Sequence, residues 1–567
     1  MFRVYKKYIC RLLPLVLCLF LLTACNIFGG NQQVKAPKNQ QVYTLPEIGT
    51  YDFDTLDPAL AHDTASINAI QMLFTGLVQF DDHLQIYGQL AQNWQVDPGG
   101  TTWTFHLKPH LTFSDGTPLT ASDVVYSIDR ALQPATQSTI APLYLGQIKD
   151  ANQLLAGKIS TLIDDSLLAP NPTTVIIITQ TKTPYFLSML THTCSYIVEK
   201  SFVSKYGTGF TDHLAGGGGT GPFTVGTYTH RVELSLVPNA HYYGTRPQLQ
   251  KVNLVFYPTA DQAYQAYQQH KIDTTQVPIN AISSAKKRND FVQTPQLWIN
   301  YYTMNYLEKP FDNVHIRQAF ALAMNKTAIA QNVWKGTVLP TNHIVPQGMN
   351  GYNANLTGPD GTNNLTGNAS KAQQLLKQGL QEEGWSSSTQ IPPITLTYAT
   401  SVPGFDQEVA ALIRTWKTVL NVTVTSNTVD YNTLLDKVTA TTGSSSGLQM
   451  WGLSWVGEYP DAHDWLTYQF GKGALYNNMN YGENFGGTAA KQQLAQQQLA
   501  TADGTMDQNT RLQDYQQAEQ QLVNDVAWLP MEQVTATMLR NPNIIGIIDN
   551  AQNVIPPDDW GNIYRVQ

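Results

Sequence analysis

The residue types that most often carry out chemistry are scattered along this chain of 567 residues. His106 and His110 stand four apart, which suits two metal ligands on one helical face, but Pro109 and the surrounding strand pattern disfavour a helix there. No His-Glu-x-x-His motif occurs. Acidic side chains are numerous, yet their spacing selects no pair for glycoside hydrolysis. We therefore expect no catalytic residue, no metal and no cofactor, with an extracellular two-carboxylate hydrolase as the disfavoured alternative.

The N-terminal segment has the pattern of a secretory signal. Four basic residues in the first eleven precede an uncharged apolar stretch, Leu12 to Leu22, which is too short for a comfortable membrane span. The stretch ends in Leu22-Thr23-Ala24-Cys25, which resembles the bacterial lipobox. The resemblance implies a signal peptide over residues 1–24 and lipidation of Cys25. An ordinary cleaved signal with an incidental cysteine is the alternative.

The remaining cysteines and the residues after Cys25 fit an anchored, secreted protein. Cys10 and Cys18 fall within the predicted signal peptide, so Cys194 has no partner for an intrachain disulfide and is expected to be a buried thiol. Residues 25–41 are polar with Gly and Pro and are predicted to form a flexible tether. The net charge of −8 argues against nucleic acid as a partner.

Strand and helix patterns are mixed along the chain without strict alternation. Trp103, Phe105 and Leu107 alternate with polar residues, which predicts a half-buried strand. Thr120 has capping-box spacing to Asp123 at the start of a helical pattern. A second helix is predicted after Asp312 or Asn313, with Ile316, Ala319, Phe320, Ala323 and Met324 on its inner face. The hydrophobic content of 42% fits a globular protein with two or three domains.

Several strings in a fixed order carry a family resemblance. They include "TLDPALAHD", "WTFHLKPHLTFSDGTPLTASDVVYSIDR", "GTGPF", "MNYLEKPFDNVHIRQAFALAMNK" and "SWVGEYPDAHDWL". Roughly residues 42 to 540 resemble the extracellular solute-binding family 5 of ATP-binding cassette (ABC) importers, the oligopeptide- and dipeptide-binding group. The resemblance implies a mixed α/β fold, a two-lobed clam-shell like that of periplasmic binding proteins, with an extra subdomain in the first lobe.

The same resemblance implies the division of the chain into lobes. The first lobe is discontinuous and comprises residues 42–85, 215–300 and 525–567. The inserted subdomain comprises residues 86–214, and the second lobe comprises residues 301–524. Binding proteins of this kind close by hinge rotation around the ligand, because the ligand contacts both lobes only in the closed state.

The resemblance also implies a ligand anchor. Family members that bind peptides pair with the peptide backbone and hold its amino terminus with an Asp in a W-x-x-D-Y setting. In this chain Trp455 and Tyr459 match the aromatic positions, and Glu458 stands where the Asp is expected. Glu is still an anion but is one methylene longer, so it suits a slightly displaced amine or a different cation.

Further positions are carried over for the walls of the cleft. Ser454 and Val456 match the positions that pair with the ligand backbone, and the segment from Gly49 to Phe53 is expected to supply the opposite wall. Trp451, together with Trp455 and Tyr459, lines the cleft or belongs to the core, and the sequence leaves both readings open.

The resulting prediction is a binding protein and not an enzyme. It captures extracellular oligopeptides by hinge closure and delivers them to ABC permease subunits, as a monomer held on the outer face of the cell membrane by a lipid on Cys25. An oligosaccharide, a nickel complex or haem on the same scaffold is the alternative ligand, since the chain is rich in Trp, Tyr, Asn and Gln. A surface peptide sensor or chaperone without import is a further alternative.

Overall fold

The computed structural model of the protein describes residues 34–400, 404–484 and 489–567. The predicted signal peptide and Cys25 lie outside these residues. Within the described ranges, no helix combines the length and the apolar character that crossing a membrane requires.

The strands of the described residues form three main sheets and two short two-stranded pairs. In chain order they are β1 (Val42–Ile48), β2 (Val78–Phe80), β3 (Ile86–Gly88), β4 (Ala91–Val96), β5 (Thr102–Leu107), β6 (Leu167–Asn171), β7 (Thr174–Ile178), β8 (Phe223–Thr229), β9 (Glu233–Pro238), β10 (Lys251–Tyr257), β11 (Thr274–Gln276), β12 (Phe291–Met304), β13 (Val338–Pro340), β14 (Ile394–Ala399), β15 (Val424–Val429), β16 (Met450–Val456), β17 (Leu529–Arg540), β18 (Ile544–Ile545) and β19 (Tyr564–Arg565).

The helices are distributed among all parts of the fold. In chain order they are α1 (Thr64–Leu73), α2 (Ala121–Leu132), α3 (Ala141–Leu145), α4 (Ala151–Leu155), α5 (Phe186–Met189), α6 (Lys200–Tyr206), α7 (Ala260–Gln268), α8 (Ile282–Ala285), α9 (Val314–Leu322), α10 (Lys326–Asn332), α11 (Ala369–Glu382), α12 (Phe405–Leu420), α13 (Tyr431–Ala440), α14 (Ala462–Trp465), α15 (Thr467–Phe470), α16 (Ala489–Asp503) and α17 (Gln508–Asp525).

The first lobe is built on a four-stranded sheet in the order β1-β10-β9-β8. β1 runs parallel to β10, whereas β9 is antiparallel to both of its neighbours. One face of the sheet buries Leu234, Leu236, Val252 and Leu254 against a core that includes residues from α1. The sheet thus joins segments that lie about 200 positions apart.

The segment predicted as an inserted subdomain, residues 86–214, contains its own antiparallel sheet in the order β4-β5-β7-β6. Trp103, Phe105 and Leu107 are buried and His106 is exposed, which confirms the strand predicted from the alternation. The helix predicted after Thr120 is also confirmed as α2. Its capping box has both reciprocal bonds, since the Asp123 carboxylate accepts from the Thr120 N–H at 2.9 Å.

The second lobe is built around a larger sheet in the order β11-β17-β12-β16-β14-β15, with β13 pairing β17. β14 and β15 are parallel and are connected by α12, whose Trp416 is fully buried against Phe320 of α9. The predicted N-terminal cap of α9 is confirmed at Asn313, whose side-chain oxygen accepts from His315 N–H at 3.0 Å.

The long antiparallel strands β12 and β17 connect the two lobes. At one end β17 pairs with β11, and Asp273 just before β11 donates its backbone N–H to Thr44 of β1 at 2.9 Å. At the other end Leu529 and Met531 of β17 lie in the core of the second lobe. The predicted boundary after residue 300 therefore falls inside a strand, and the start of the 525–567 segment packs in the second lobe.

The described part of the predicted tether is fixed on the first lobe. Ala36 N–H donates to the Arg565 carbonyl at 2.9 Å, and Gln567 N–H donates to the Val34 carbonyl at 2.9 Å. The Gln41 amide donates to the carbonyls of Ala36 and Arg565 at 2.7 and 2.9 Å. Within the predicted tether of residues 25–41, the stretch from residue 34 onward is thus held by the chain's C-terminal segment, unlike a flexible linker.

Candidate functional site

The end of β16 presents an unpaired strand edge. One edge of β16 pairs with β12 over its full length, from Met304–Met450 to Trp298–Val456. On the other edge β14 pairs only with Met450 and Trp451, and no other strand of the described residues continues this pairing. The second half of β16 therefore has one edge at which an extended ligand can add.

The hydrogen-bonding pattern tells which residues face this open edge. Gly457 N–H donates to the Leu297 carbonyl of β12 at 3.1 Å. Because backbone groups alternate sides along a strand, Trp455 also turns its N–H and C=O toward β12. Ser454 and Val456 then turn theirs toward the open edge, which is the geometry that their predicted role in backbone pairing requires. The Val456 side chain is 52% exposed.

Glu458 lies two residues beyond this edge and is exposed. Its carboxylate Oε2 accepts from the Tyr144 hydroxyl at 3.0 Å, and its carbonyl oxygen lies 2.8 Å from the same hydroxyl. Tyr144 belongs to α3 of the subdomain, so this contact joins the subdomain to the loop after β16. No Lys, Arg or His in the described ranges forms an ion pair with Glu458.

Asp464, which sequence reasoning did not select, anchors the loop from beneath. It is fully buried, and its Oδ2 accepts from Trp455 Nε1 and from Glu458 N–H, both at 3.1 Å. Burial raises the pKa of this carboxyl well above its usual value, and the nearby Glu458 charge adds to the effect. A protonated Asp464 can fix the loop without competing as a second anion. No local pattern distinguishes it from the other acids of "GEYPDAHD".

Aromatic rings flank the open edge. Trp455 is half-buried and packs edge-on against Tyr476, with ring centroids 5.1 Å apart. Tyr468 lies 5.2 Å from Tyr476 and 6.5 Å from Trp455. Tyr468 and Tyr476 were not identified from the sequence, since the chain segment that holds them has no pattern that relates it to β16.

Three predicted ligand residues have buried side chains. Trp451 is 1% exposed and lies in a core of the second lobe. Phe53 is 8% exposed and packs against Phe256, with centroids 4.9 Å apart, in the core of the first lobe. Tyr459 is buried between Tyr144 and Tyr185. Burial of a large aromatic ring removes much apolar surface from water, so Trp451, Phe53 and Tyr459 are core residues and their side chains leave the candidate site.

A cavity of about 480 Å³ lies between the first-lobe sheet and the connecting strands. Polar and aromatic side chains from several segments line it, including Glu47, Asn68, Gln71, Trp298 and Arg540. Trp298 is the β12 residue opposite Val456, so the cavity lies one strand away from β16. Its volume is in the range of small-ligand sites.

Glu47 is the buried acid of this cavity and was not predicted. Burial raises its pKa to about 8, with a smaller contribution from Asp63, while the Asn68 side chain lowers it. The predicted wall from Gly49 to Phe53 lies next to it along the chain and borders a shallower depression that also includes Arg231. Cys194 is buried, as expected, and burial raises the pKa of its thiol.

No cluster of three or more His, Cys, Asp or Glu side chains that could hold a metal ion occurs in the part of the chain that the structure describes.

Comparisons with known proteins agree on one family. Residues 85–477 match the bacterial extracellular solute-binding proteins, family 5. The oligopeptide-binding protein OppA of Bacillus subtilis is 27% identical over 544 residues, covering 93% of this chain and 94% of that protein. A probable deoxycholate-binding periplasmic protein of Escherichia coli, YgiS, is 26% identical over 456 residues, which cover 79% of this chain and 81% of that protein.

The fold has a close structural counterpart. The periplasmic murein tripeptide-binding protein MppA, in a structure described as its unliganded open form, superimposes with a TM-score of 0.79. The match covers 94% of this chain and 98% of that protein at 24% identity. The two-lobed architecture predicted from the sequence is thereby confirmed.

Proposed function

Because the chain belongs to the bacterial extracellular solute-binding proteins of family 5, we propose that it captures peptides outside the cell and delivers them to the permease of an ABC importer. The observation that carries the proposal is the open edge of β16 at Ser454 and Val456, which ends beside the exposed carboxylate of Glu458. An extended peptide bonds to such an edge through its backbone, which makes binding tolerant of sequence.

Glu458 is the proposed anchor for the peptide's amino group. The Tyr144 hydroxyl holds the Glu458 carboxylate, and Asp464 holds the Glu458 backbone N–H. Glu458 therefore loses little conformational freedom when an ammonium binds. Its second oxygen, Oε1, accepts no hydrogen bond from the residues that the structure describes and is available to the ligand. A charge-assisted hydrogen bond of this kind contributes about 1.5–3 kcal/mol.

Closure of the lobes would occur where β12 and β17 cross between them. The pairing register of these strands shifts between Pro295 and Ile299. The Gln533 side-chain amide fills the irregularity by donating to the Gln296 carbonyl at 2.9 Å. Such bulges bend strands locally, so this point is the proposed hinge. The cavity that Trp298 and Glu47 line borders this hinge, because Trp298 lies within the register shift.

The anchor is tested by calorimetry with a tetrapeptide that has a free amine and with its N-acetylated form. Glu458→Gln is expected to weaken binding of the free peptide about 10- to 100-fold and to leave the weak binding of the acetylated peptide unchanged. The matched control is Glu483→Gln, at an exposed glutamate of the second lobe. Equal loss for both peptides, or no binding of any peptide in a mixed library, would refute the proposal.

The location of the protein is proposed from its N-terminal sequence. Cleavage before Cys25 and lipidation of that cysteine would hold the mature protein at the outer face of the membrane, since each buried methylene adds about 0.8 kcal/mol of membrane affinity. Expressed in its host, the protein should incorporate a labelled fatty acid and fractionate with membranes. Cys25→Ala should abolish labelling, whereas Cys194→Ala should retain it.

A further inference from the structure

Five basic side chains surround the start of the first-lobe sheet, on a surface here called the basic face. They are Lys35, Lys38, Arg246, Lys251 and Lys271, of which Lys251 is partly exposed and the other four are exposed. None of them forms an ion pair with a residue that the structure describes. Their charges are therefore not neutralised within the fold, although the protein as a whole has a net charge of −8.

Backbone contacts bring three of these lysines to the same end of the sheet. β1 and β10 run parallel, so that Val42 lies beside Lys251, and Lys38 comes four residues before Val42. Lys271 comes two residues before Asp273, whose backbone N–H donates to β1 at 2.9 Å.

The other two basic residues adjoin this end through the segment that leads into β10. The Lys35 ammonium donates to the Gln248 side chain at 2.5 Å and lies over the Tyr564 ring. Arg246 comes two residues before Gln248. The five charges thus come from three chain segments that meet where the first-lobe sheet begins.

Acidic side chains offset little of this charge. Asp273 is paired with Arg565. Asp558, followed by Asp559, lies against Gly244 at the border of the face. No acid occurs in the three segments that carry the five basic residues, which are 34–42, 246–253 and 269–272.

The proposed lipid tether joins the fold at the basic face. Lys35 forms a bridge with Val566, and the Val34 carbonyl accepts from Gln567 N–H at 2.9 Å. Eight residues separate Cys25 from Val34, and a chain of that length spans at most about 30 Å. A lipid on Cys25 would therefore keep the basic face within about 30 Å of the membrane surface.

We propose that the basic face is a docking surface for a membrane that contains anionic phospholipids. The inference rests on the proposed location at the membrane and adds an orientation to it. The phosphate headgroups supply the negative charge that the five basic side chains lack within the fold. Such charges interact over about one Debye length, roughly 10 Å at 0.1 M salt, and the tether permits that approach.

The contact sets the orientation of the binding cleft. β1 begins at Val42, beside the basic face, and ends at Ile48, which leads into the predicted cleft wall from Gly49 to Phe53. A strand of this length spans about 20 Å. With the basic face on the membrane, the cleft end of the first-lobe sheet points away from the membrane, which suits ligand capture. Delivery to the permease then requires the face to leave the membrane.

The test uses the mature chain with Cys25→Ala, so that no acyl chain contributes to binding. Sedimentation with vesicles of phosphatidylglycerol and phosphatidylcholine should show binding that vesicles of phosphatidylcholine alone do not support. Raising the salt to about 0.5 M should abolish this binding. Changing Lys38, Lys251 and Lys271 together to Gln should weaken it about 10- to 100-fold, because each basic residue near an anionic surface strengthens binding about fivefold.

The matched control changes three exposed lysines of the second lobe, Lys377, Lys437 and Lys472, to Gln. It alters the net charge equally and should leave vesicle binding within about twofold. A melting curve for each variant excludes misfolding as the cause. Equal losses in the two triple variants would assign the binding to net charge, and equal binding to both kinds of vesicle would exclude a role for headgroup charge. Either result would overturn the proposal.

A dye on a new cysteine tests the orientation, since Cys194 is buried. Spin-labelled headgroups should quench a dye at Gln250→Cys, next to Lys251, and leave a dye at Ser426→Cys of the second lobe unchanged. Equal quenching at both positions would overturn the orientation. Fatty-acid labelling tests the proposed location separately. If the parent is labelled at Cys25 but its Cys25→Ala form binds no vesicles, the basic face is refuted and the proposed location stands.

Discussion

The acids of the second lobe fall into two regions that differ in burial. Glu458 is exposed at the end of β16, with a tyrosine hydroxyl as its side-chain partner. Glu408, Glu519 and Glu532 are buried beneath the lobe's sheet and helices, with at most 1% of each residue exposed. Burial raises the pKa of all three, and the charge of Glu408 raises that of Glu532 further.

The comparison indicates that burial, and not residue type, separates an acid that can meet a ligand, the role proposed for Glu458, from acids that serve the fold. A carboxyl that must attract an ammonium ion has to be ionised and accessible before the ligand arrives. The buried group instead accepts neutral donors, such as Asn300 Nδ2 at 3.0 Å from Glu532 Oε1. It stabilises the fold best when it is protonated. Asp461 is intermediate, because it is buried yet paired with a cation.

The largest expected effect comes from breaking that pair. Arg511 of α17 donates to Asp461 at 2.8 and 2.5 Å, and both side chains are almost fully buried. Arg511→Met should lower the free energy of unfolding by about 3–5 kcal/mol, because it leaves the Asp461 carboxylate buried without its counter-ion. Urea unfolding with a fluorescence readout measures the change.

Lys149→Met is the control, since it removes an ion pair with Asp165 at the surface. Its effect on urea unfolding should be far smaller, because solvent screens exposed pairs. If Arg511→Met destabilises the protein no more than Lys149→Met does, the distinction between the two classes of acid would lose its energetic basis.

A pH series sharpens the comparison at a buried acid without a counter-ion. Glu519 Oε1 accepts from Ile344 N–H and Val345 N–H, both at 2.9 Å, and burial raises its pKa to about 8. In the unfolded chain its pKa is near 4.3. The protonated form is favoured in the folded state, so this group's stabilising contribution is complete below about pH 4 and is lost as the pH rises toward 8.

Glu519→Gln should therefore be more stable than the parent at pH 8 by a few kcal/mol, and the advantage should shrink toward pH 5. Melting curves of both proteins across this range give the difference. Asp436→Asn, at an exposed position of α13, should show no such trend. A constant difference between Glu519→Gln and the parent at all pH values would show that Glu519 does not titrate in this window.

Local patterns predicted local structure well. The period of two in residues 102–107 and the caps at Thr120 and Asn313 correctly predicted β5, α2 and α9, because backbone and side-chain bonds within a few residues determine these elements. The strings that carry the family resemblance selected Glu458, Ser454 and Val456 as candidate ligand residues. The two-lobed fold followed from the resemblance and not from any periodicity.

The surroundings of Glu458 could not be predicted, because they come from distant segments. Tyr144 is 314 positions away from it, and Tyr468 and Tyr476 reach β16 through a separate loop. Burial also separates Asp464 from Glu458, although the two acids are six positions apart. For the same reason, sequence reasoning could not tell that Trp451 and Phe53 are core residues.

The smallest expected effect concerns Tyr144, whose hydroxyl is the side-chain partner of Glu458. Its ring is buried and stacks on His192, with centroids 3.9 Å apart, so the phenol is held firmly with its hydroxyl on Glu458. Tyr144→Phe keeps the ring and removes only this hydroxyl. We expect affinity for a free-amine peptide to fall about threefold, since Glu458 regains side-chain freedom, while the urea midpoint changes little.

The affinity for the acetylated peptide again distinguishes two effects of the Tyr144 hydroxyl, the orientation of Glu458 and the packing of the subdomain. If the Tyr144 hydroxyl acts by orienting Glu458, Tyr144→Phe should not alter binding of the acetylated form, and it should have no further effect in a Glu458→Gln background. Tyr267→Phe is the matched control, because it removes a hydroxyl that bonds a carboxylate in the first lobe, Asp290. If Tyr144→Phe still lowers the affinity threefold in the Glu458→Gln background, the Tyr144 hydroxyl acts through the fold of the subdomain and not by orienting Glu458.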